Sequence, residues 1–378
     1  MARADTTRPC FPAAAIRLIV RPDRRRPSVT AAPRARMRHH LRTLIVLLVA
    51  VGLLALFLRN TDLHAVGAEM ARARPDLLLL ALAVTGLTYV LRALRWQYLL
   101  APIGHVRLSM ALRATVIGFA ATALLPARAG ELLRPYFLAR KEGLSATATF
   151  ATIIVERLLD TITVLLFFTA YLLVFDTGMA SADAATFGRV KLGGALTAGV
   201  CALLLVVLFF LAGHPGTLAR ITTALGRLLP ERAANRAVQL VRTFAEGLAI
   251  VRQPVRLATA VALSLPLWLS IALGIWLVTR AFHLVMPFTG SFLIVALLVV
   301  GVAVPTPGAV GGFHYFYRLG MTVFFAAPND RAVGAAIVLH AVSFVPVAIA
   351  GLVLLTQEGL SLSRLGSLAR SEGAEEPA

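Results

Sequence analysis

The longest apolar runs decide what this chain can be. Leu44–Leu58, Leu77–Val90, Leu192–Ala212 and Ala258–Val278 are nearly free of charge. A helix needs about 20 apolar residues to cross a hydrocarbon core roughly 30 Å thick, and these runs reach or approach that length. Inside lipid only helices and closed barrels satisfy their own backbone. The strict alternation of a barrel strand is absent, so the runs read as helices. Charged residues make up 15% of the chain, against about 25% in a soluble domain. The expected fold is an all-α polytopic membrane protein.

Eight apolar segments stand out, at about 42–59, 77–100, 109–126, 147–175, 191–212, 257–281, 289–305 and 331–356. Before them, residues 1–40 are rich in Arg and Pro and read as a disordered basic tail, with Met37 as an alternative start. Arg24–Arg26 has no apolar run directly after it, so no cleaved export signal is expected. The membrane domain is expected over 41–357 and a second disordered tail over 358–378.

Charge sets the orientation. The formal net charge of +19 would suggest nucleic acid in a soluble protein. In a membrane protein it marks the cytoplasmic loops instead, and no nucleic-acid partner is expected. Residues 1–43 carry eleven Arg against two Asp, and residues 213–256 carry seven Arg against two Glu. Residues 59–76 and 176–191 are balanced. Both termini and the 213–256 loop are therefore placed in the cytoplasm, in an inner (plasma) membrane. That loop interleaves Leu, Val and Phe with Arg, as an amphipathic helix on the inner leaflet would. Cys10 lies in the tail and Cys201 in an apolar run. They imply no disulfide framework and no metal cluster, and no cofactor is expected.

The 126–145 segment holds Arg128, Arg134, Arg140 and Lys141, so it too should be cytoplasmic. A full crossing at 109–126 would put those charges outside. A segment that enters and returns removes the conflict, and its Ala-, Thr- and Gly-rich composition with a terminal Pro126 permits one. Segment 289–305 breaks in the same way at Pro305-Thr-Pro-Gly-Ala-Val-Gly-Gly312. The expectation is six crossings and two re-entrant segments, arranged as two inverted repeats. Broken helices at matching positions of such repeats point to a transport site.

Three clusters carry the candidate chemistry. Arg128, Glu131 and Arg134 are spaced three apart, on one face if helical. Arginine grips phosphate with two parallel hydrogen bonds, which suggests a lipid-phosphate site, against the plainer reading of a cytoplasmic loop with a structural ion pair. Glu156, Arg157 and Asp160 enter an otherwise apolar run, where unpaired charges cost several kcal/mol. They read equally well as a binding site or as an ion-pair network holding the bundle. The third cluster is the break at Pro307, Gly308, Gly311 and Gly312 with His314 after it. Its amides suit an anion, and His314 either carries a proton or is a hydrogen-bonded structural residue. Arg92 and Arg95, beside Trp96, read as interfacial anchors or as part of the substrate site.

The order Pro126-x-Arg-x-Gly-Glu-x-x-Arg134, then Glu156-Arg-x-x-Asp160, then Pro305-x-Pro-Gly308 resembles the flippase-like membrane domain of lysylphosphatidylglycerol synthases. The likeness covers roughly residues 42–356. The third motif departs from it: many members carry a Glu after the Gly-Gly turn, and here Phe313-His314 follows. The resemblance implies translocation of a lipid, often anionic or polyprenyl-linked, between leaflets, in company with envelope-biosynthesis enzymes. A lysyl-transferring synthase also needs a soluble catalytic domain, which the short tail after the last apolar segment does not provide. The leading expectation is a lipid transporter or flippase-like protein and not an enzyme. The alternatives are a membrane-embedded accessory or enzyme of lipid-linked glycan synthesis, and a non-catalytic scaffold.

Overall fold

A computed structural model describes residues 51–59, 61–125, 128–174, 246–303 and 306–358, with isolated residues elsewhere. The basic tail, most of segments 42–50 and 191–212, most of the 213–256 loop and the tail after Glu358 lie outside the described residues.

Among the described residues every regular element is helical. A short helix α1 (Leu63–Ala71) is capped by the Asp62 carboxylate, which accepts from the amides of His64 and Ala65. There follow α2 (Pro75–Leu100), α3 (Leu108–Leu124), α4 (Gly130–Glu142) and α5 (Ala146–Val174), then α6 (Pro254–Ala281), α7 (Gly290–Ala303), α8 (Gly312–Phe325) and α9 (Asn329–Gln357). A single 3-10 turn, Pro307–Ala309, lies between α7 and α8.

Local sequence accounts for the boundaries. Pro75 and Pro254 open α2 and α6 in the first turn, where a missing N–H costs nothing. Pro126 follows α3 and forces the preceding backbone to be extended, as Leu125 is. Gly143 closes α4 in the left-handed conformation, φ 67°. Three of the described helices, α2, α6 and α9, are long and apolar enough to cross a membrane. The 29-residue α5 is as long but carries Glu156, Arg157 and Asp160.

The helices fall into two sets of the same order: long, short, short, long. The first runs 26, 17, 13 and 29 residues (α2 to α5), and the second runs 28, 14, 14 and 29 (α6 to α9). Their packing pairs off in the same way. The two leading helices, α2 and α6, share the most extensive interface, and α3 lies on α9 as α7 lies on α5. α2 and α6 run antiparallel, since the Arg74 amide at the start of one donates to the Ala281 carbonyl at the end of the other, 3.0 Å. That end also holds the Arg331–Glu69 pair at 2.9 Å. At another point of the bundle Glu358 is clasped by Lys141 and Arg113.

In each set the two short helices fold back on one another. Near the tip of the first hairpin, a Cβ on Gly130 would overlap the Gly118 carbonyl oxygen. In the second hairpin a Cβ on Gly312 would overlap the Gly301 carbonyl. Only glycine permits backbones to approach this closely. The tips also touch: a Cβ on Gly308 would lie 3.3 Å from the Ala123 carbonyl oxygen.

The basic 126–145 segment, which has no apolar run, is mostly helix α4, and the residue spacing explains why. α4 buries Leu133, Arg134, Phe137 and Leu138 and exposes Leu132, Arg140 and Lys141, so it is amphipathic and shows no apolar run. Helix α8 escaped notice in the same way.

Candidate functional site

The charged residues of α2, α4 and α5 converge inside the bundle. Glu156 is fully buried, and around its Oε1 stand Arg134 Nη1 and Arg157 Nη2, both at 2.8 Å, with Arg92 Nη1 at 3.6 Å and Arg95 Nη2 at 3.7 Å. One turn on, Asp160 pairs with Arg95 Nη1 at 2.7 Å and faces Arg157 at 3.3 Å and Arg92 at 3.5 Å. The indole N–H of Trp268 on α6 donates to the other side of this network, 2.9 Å to Asp160 Oδ1. Ser264, one turn before Trp268, accepts from Arg95 at 2.9 Å.

Aromatic rings hold the guanidiniums in place. Arg134 lies over the Trp96 ring, 3.9 Å from its centroid, and Trp96 is itself anchored by donating to Thr152 Oγ1 at 3.0 Å. Arg92 lies 4.8 Å from the centroid of Phe119. Stacking leaves the planar edges of a guanidinium free to donate. Several donors are indeed unused: Nε and Nη2 of both Arg95 and Arg134, and Nε of Arg157, are buried without a hydrogen-bond partner, as is the acceptor Oε2 of Glu156.

Arg128 and Glu131 pair with each other at 3.0 Å, each about one-third exposed. Arg128 does not share a helix face with Glu131 and Arg134, as its spacing suggested. It stands in the break before α4 with φ 55°, a left-handed conformation that costs a non-glycine residue energy and tends to mark function. Arg134 turns away from Glu131 to Glu156.

Beside the cluster is a cavity of about 420 Å³. Its lining includes the charged side chains of Arg92, Arg128, Glu131, Arg134, Arg157 and Asp160. It also includes apolar side chains of α7, α8 and α9, among them Val295, Leu298, Val302, Phe313 and Phe344.

The structure thus brings together Arg92, Arg95, Arg128, Glu131, Arg134, Glu156, Arg157 and Asp160. Arg92 and Arg95, which interfacial anchoring would explain, are buried members of the network. The residues of the second break lie elsewhere: Gly308, Gly311, Gly312 and His314 do not line this cavity, and the Pro307 side chain is outside the described residues. His314 packs against His340 instead, with ring centroids 4.5 Å apart, and His340 Nε2 lies 2.7 Å from the Gly308 carbonyl at the hairpin tip. Sequence reasoning missed Trp268, Ser264, Phe119 and His340. The one signal for the first two was a Ser and a Trp four apart in an apolar run, which puts them on one face.

The profile of the family described as the lysylphosphatidylglycerol synthase TM region matches residues 43–351. Comparison with curated proteins gives no match.

Proposed function

The chain belongs to the lysylphosphatidylglycerol synthase TM region family, and we propose that it is a lipid transporter of the flippase-like kind, binding an anionic headgroup at the arginine cluster and moving the lipid between leaflets without altering it chemically. The observation that carries this reading is one cavity lined both by four arginines and by a large set of apolar side chains. Arginines inside a bundle of this kind are expensive, and a lipid phosphate beside Arg92, Arg128, Arg134 and Arg157 offsets that cost while its chains take the apolar lining.

The matching helix order and pairwise packing of α2–α5 and α6–α9 support two inverted repeats with re-entrant hairpins, α3–α4 from the cytoplasmic side and α7–α8 from the outside. Both hairpins contribute to the cavity lining, the first through Phe119, Arg128 and Arg134 and the second through Leu298, Val302 and Phe313. The orientation, with both termini in the cytoplasm of an inner membrane, rests on the basic loops. A cysteine at the exposed Ser145 should react with a membrane-impermeant reagent only from the cytoplasmic side, and one at the exposed Val285 only from the outside. Both reacting from the same side would refute the inverted arrangement.

Transport is tested in liposomes with a fluorescent phospholipid whose outer-leaflet pool is quenched chemically. The wild type should make the inner pool accessible and return the lipid intact by mass. Arg134→Ala should abolish movement, and Arg134→Lys should restore part of it, since lysine keeps the charge but lacks the planar fork. Normal movement by Arg134→Ala would make the cluster structural.

A further inference from the structure

The charge of the site says which anionic headgroup it is built for. Among the described residues, five arginines (92, 95, 128, 134 and 157) stand against three carboxylates (Glu131, Glu156 and Asp160) at the site. Every carboxylate is held by at least one arginine. The surplus is two positive charges, and it is the same for the cavity lining alone, where Arg92, Arg128, Arg134 and Arg157 stand against Glu131 and Asp160 with the buried Arg95 and Glu156 behind them.

We propose that the site selects a phosphomonoester, a lipid whose phosphate has a single ester bond and carries close to two negative charges, over a phosphodiester that carries one. This rests on the lipid-site reading above and adds the class of headgroup. A phosphodiester leaves one positive charge of the buried surplus uncompensated and presents two free oxygens. A phosphomonoester neutralises the surplus and presents three oxygens to the four arginines that line the cavity. Coulomb interactions at contact distance are strong away from water, so the second charge should be felt as at least about a tenfold difference in affinity. The apolar walls at Val295, Leu298 and Phe344 distinguish a lipid-borne phosphate from a free one.

The second proton of a phosphomonoester leaves near pH 6, whereas a phosphodiester stays a monoanion from pH 5 to 8. Arginines keep their charge throughout that range. The other groups at the site are Glu131 and Asp160, with Glu156 behind and the Tyr89 hydroxyl alongside, while His314 and His340 lie away from it under the second hairpin tip. The preference should therefore follow the ligand's ionisation, present at pH 7.5 and fading toward pH 5.

The test measures equilibrium binding to the purified full chain in a neutral detergent, with displacement of a fluorescent lipid as readout. The probes are dioleoyl phosphatidic acid and farnesyl phosphate as monoesters, dioleoyl phosphatidylglycerol as the diester, dioleoyl phosphatidylcholine, and inorganic phosphate. Both monoesters should bind about tenfold or more tighter than the diester at pH 7.5, with the ratio falling toward one at pH 5. Two variants act on the partly exposed pair, where folding is safe. Arg128→Gln lowers the surplus and should shrink the ratio, and Glu131→Gln raises it and should widen the ratio. Equal binding of monoester and diester at both pH values, with wild-type-like ratios in both variants, would overturn the headgroup class while leaving a lipid site in place. Inorganic phosphate binding as tightly as the lipid monoesters would overturn the lipid-borne part. Lipid binding that ignores head charge altogether, and survives Arg134→Ala, would overturn the site reading itself.

Discussion

The two halves of this bundle share a backbone plan and differ in what they bury. In the first half, α4 and α5 face each other through Arg134 and Glu156, with Arg95 of α2 joining them. In the second half the equivalent helices, α8 and α9, face each other through His314 and His340, and α8 reaches α6 through Tyr317 and Thr279, whose hydroxyls lie 2.8 Å apart. One half carries groups with an obligatory charge. The other carries imidazole rings in contact and a pair of hydroxyls within hydrogen-bonding distance. Stability alone does not ask for the charged version, since a buried ion network is often no better than an apolar one of the same volume. The second half shows that this plan holds together without it. The charge in the first half is therefore best explained by something it meets.

The largest break in the comparison should come from Glu156. Its Oε1 is within ion-pair distance of four arginines. Glu156→Gln leaves them facing one another in the buried cluster, and removal of one partner from such a network costs about 3–5 kcal/mol. Chemical unfolding in detergent should show a loss of that size, with poor expression at 37 °C. Retention of wild-type stability would mean that water or lipid already screens the cluster, and the contrast between halves would collapse.

Next come the hairpin crossings, where the halves are expected to behave alike. Gly130→Ala and Gly312→Ala each drive a methyl group into a carbonyl of the opposing helix. Overpacking of this kind typically costs about 1–3 kcal/mol. Both variants should lose thermal stability by similar amounts. A severe effect in one hairpin with none in the other would show that the two tips are not equivalent.

A smaller effect is expected at His340. His340→Phe keeps a flat ring beside Phe344, now 4.6 Å away and stacked, and Phe313 at 5.4 Å. It removes the partner of the Gly308 carbonyl. One net hydrogen bond is worth about 1 kcal/mol. The loss should be local, seen as faster amide hydrogen exchange in residues 306–311 with little change at 128–134. Faster exchange at both hairpin tips would mean that the contact at Ala123 and Gly308 couples them.

Much of this arrangement was legible in the sequence, for reasons that also mark where reading stopped. Apolar length and Pro punctuation locate α2, α3, α6, α7 and α9 within a few residues, because lipid enforces both. A charge in an apolar run is rare enough that Glu156 and Asp160 announced themselves. The return helices α4 and α8 stayed hidden because their burial is against protein, which writes no continuous apolar stretch. Arg95 resembled an interfacial anchor because helix-end arginines usually are; only packing shows that its side chain is fully buried against Ser264 and Asp160. Trp268 sits more than a hundred residues from the carboxylate it serves, and no local spacing links the two.

The smallest expected effect is at the surface, where the chemistry of the buried cluster is repeated in water. Glu358, just past the end of α9, accepts from Lys141 after α4's last turn has begun and from Arg113 of α3 at 3.2 Å. Both cations are more than 40% exposed. The hydrogen bond from Lys141 is the main influence holding the Glu358 carboxyl below its ordinary value near 4.5, with the Lys141 charge and Arg113 adding to it and partial burial opposing it. A carboxyl with a folded value below its unfolded one stabilises the fold fully above the unfolded value, near pH 4.5, and loses that contribution as the pH falls through the folded value. Exposed pairs are worth about 0–1 kcal/mol, so Glu358→Gln should lower stability by less than about 1 kcal/mol at pH 7 and low salt. At 0.5 M salt, or as the pH falls through the lowered folded value, the difference should shrink toward zero. Glu156→Gln should keep most of its cost at high salt, because buried charges are screened much less. Equal salt sensitivity of the two variants would mean that the first-half cluster is open to water.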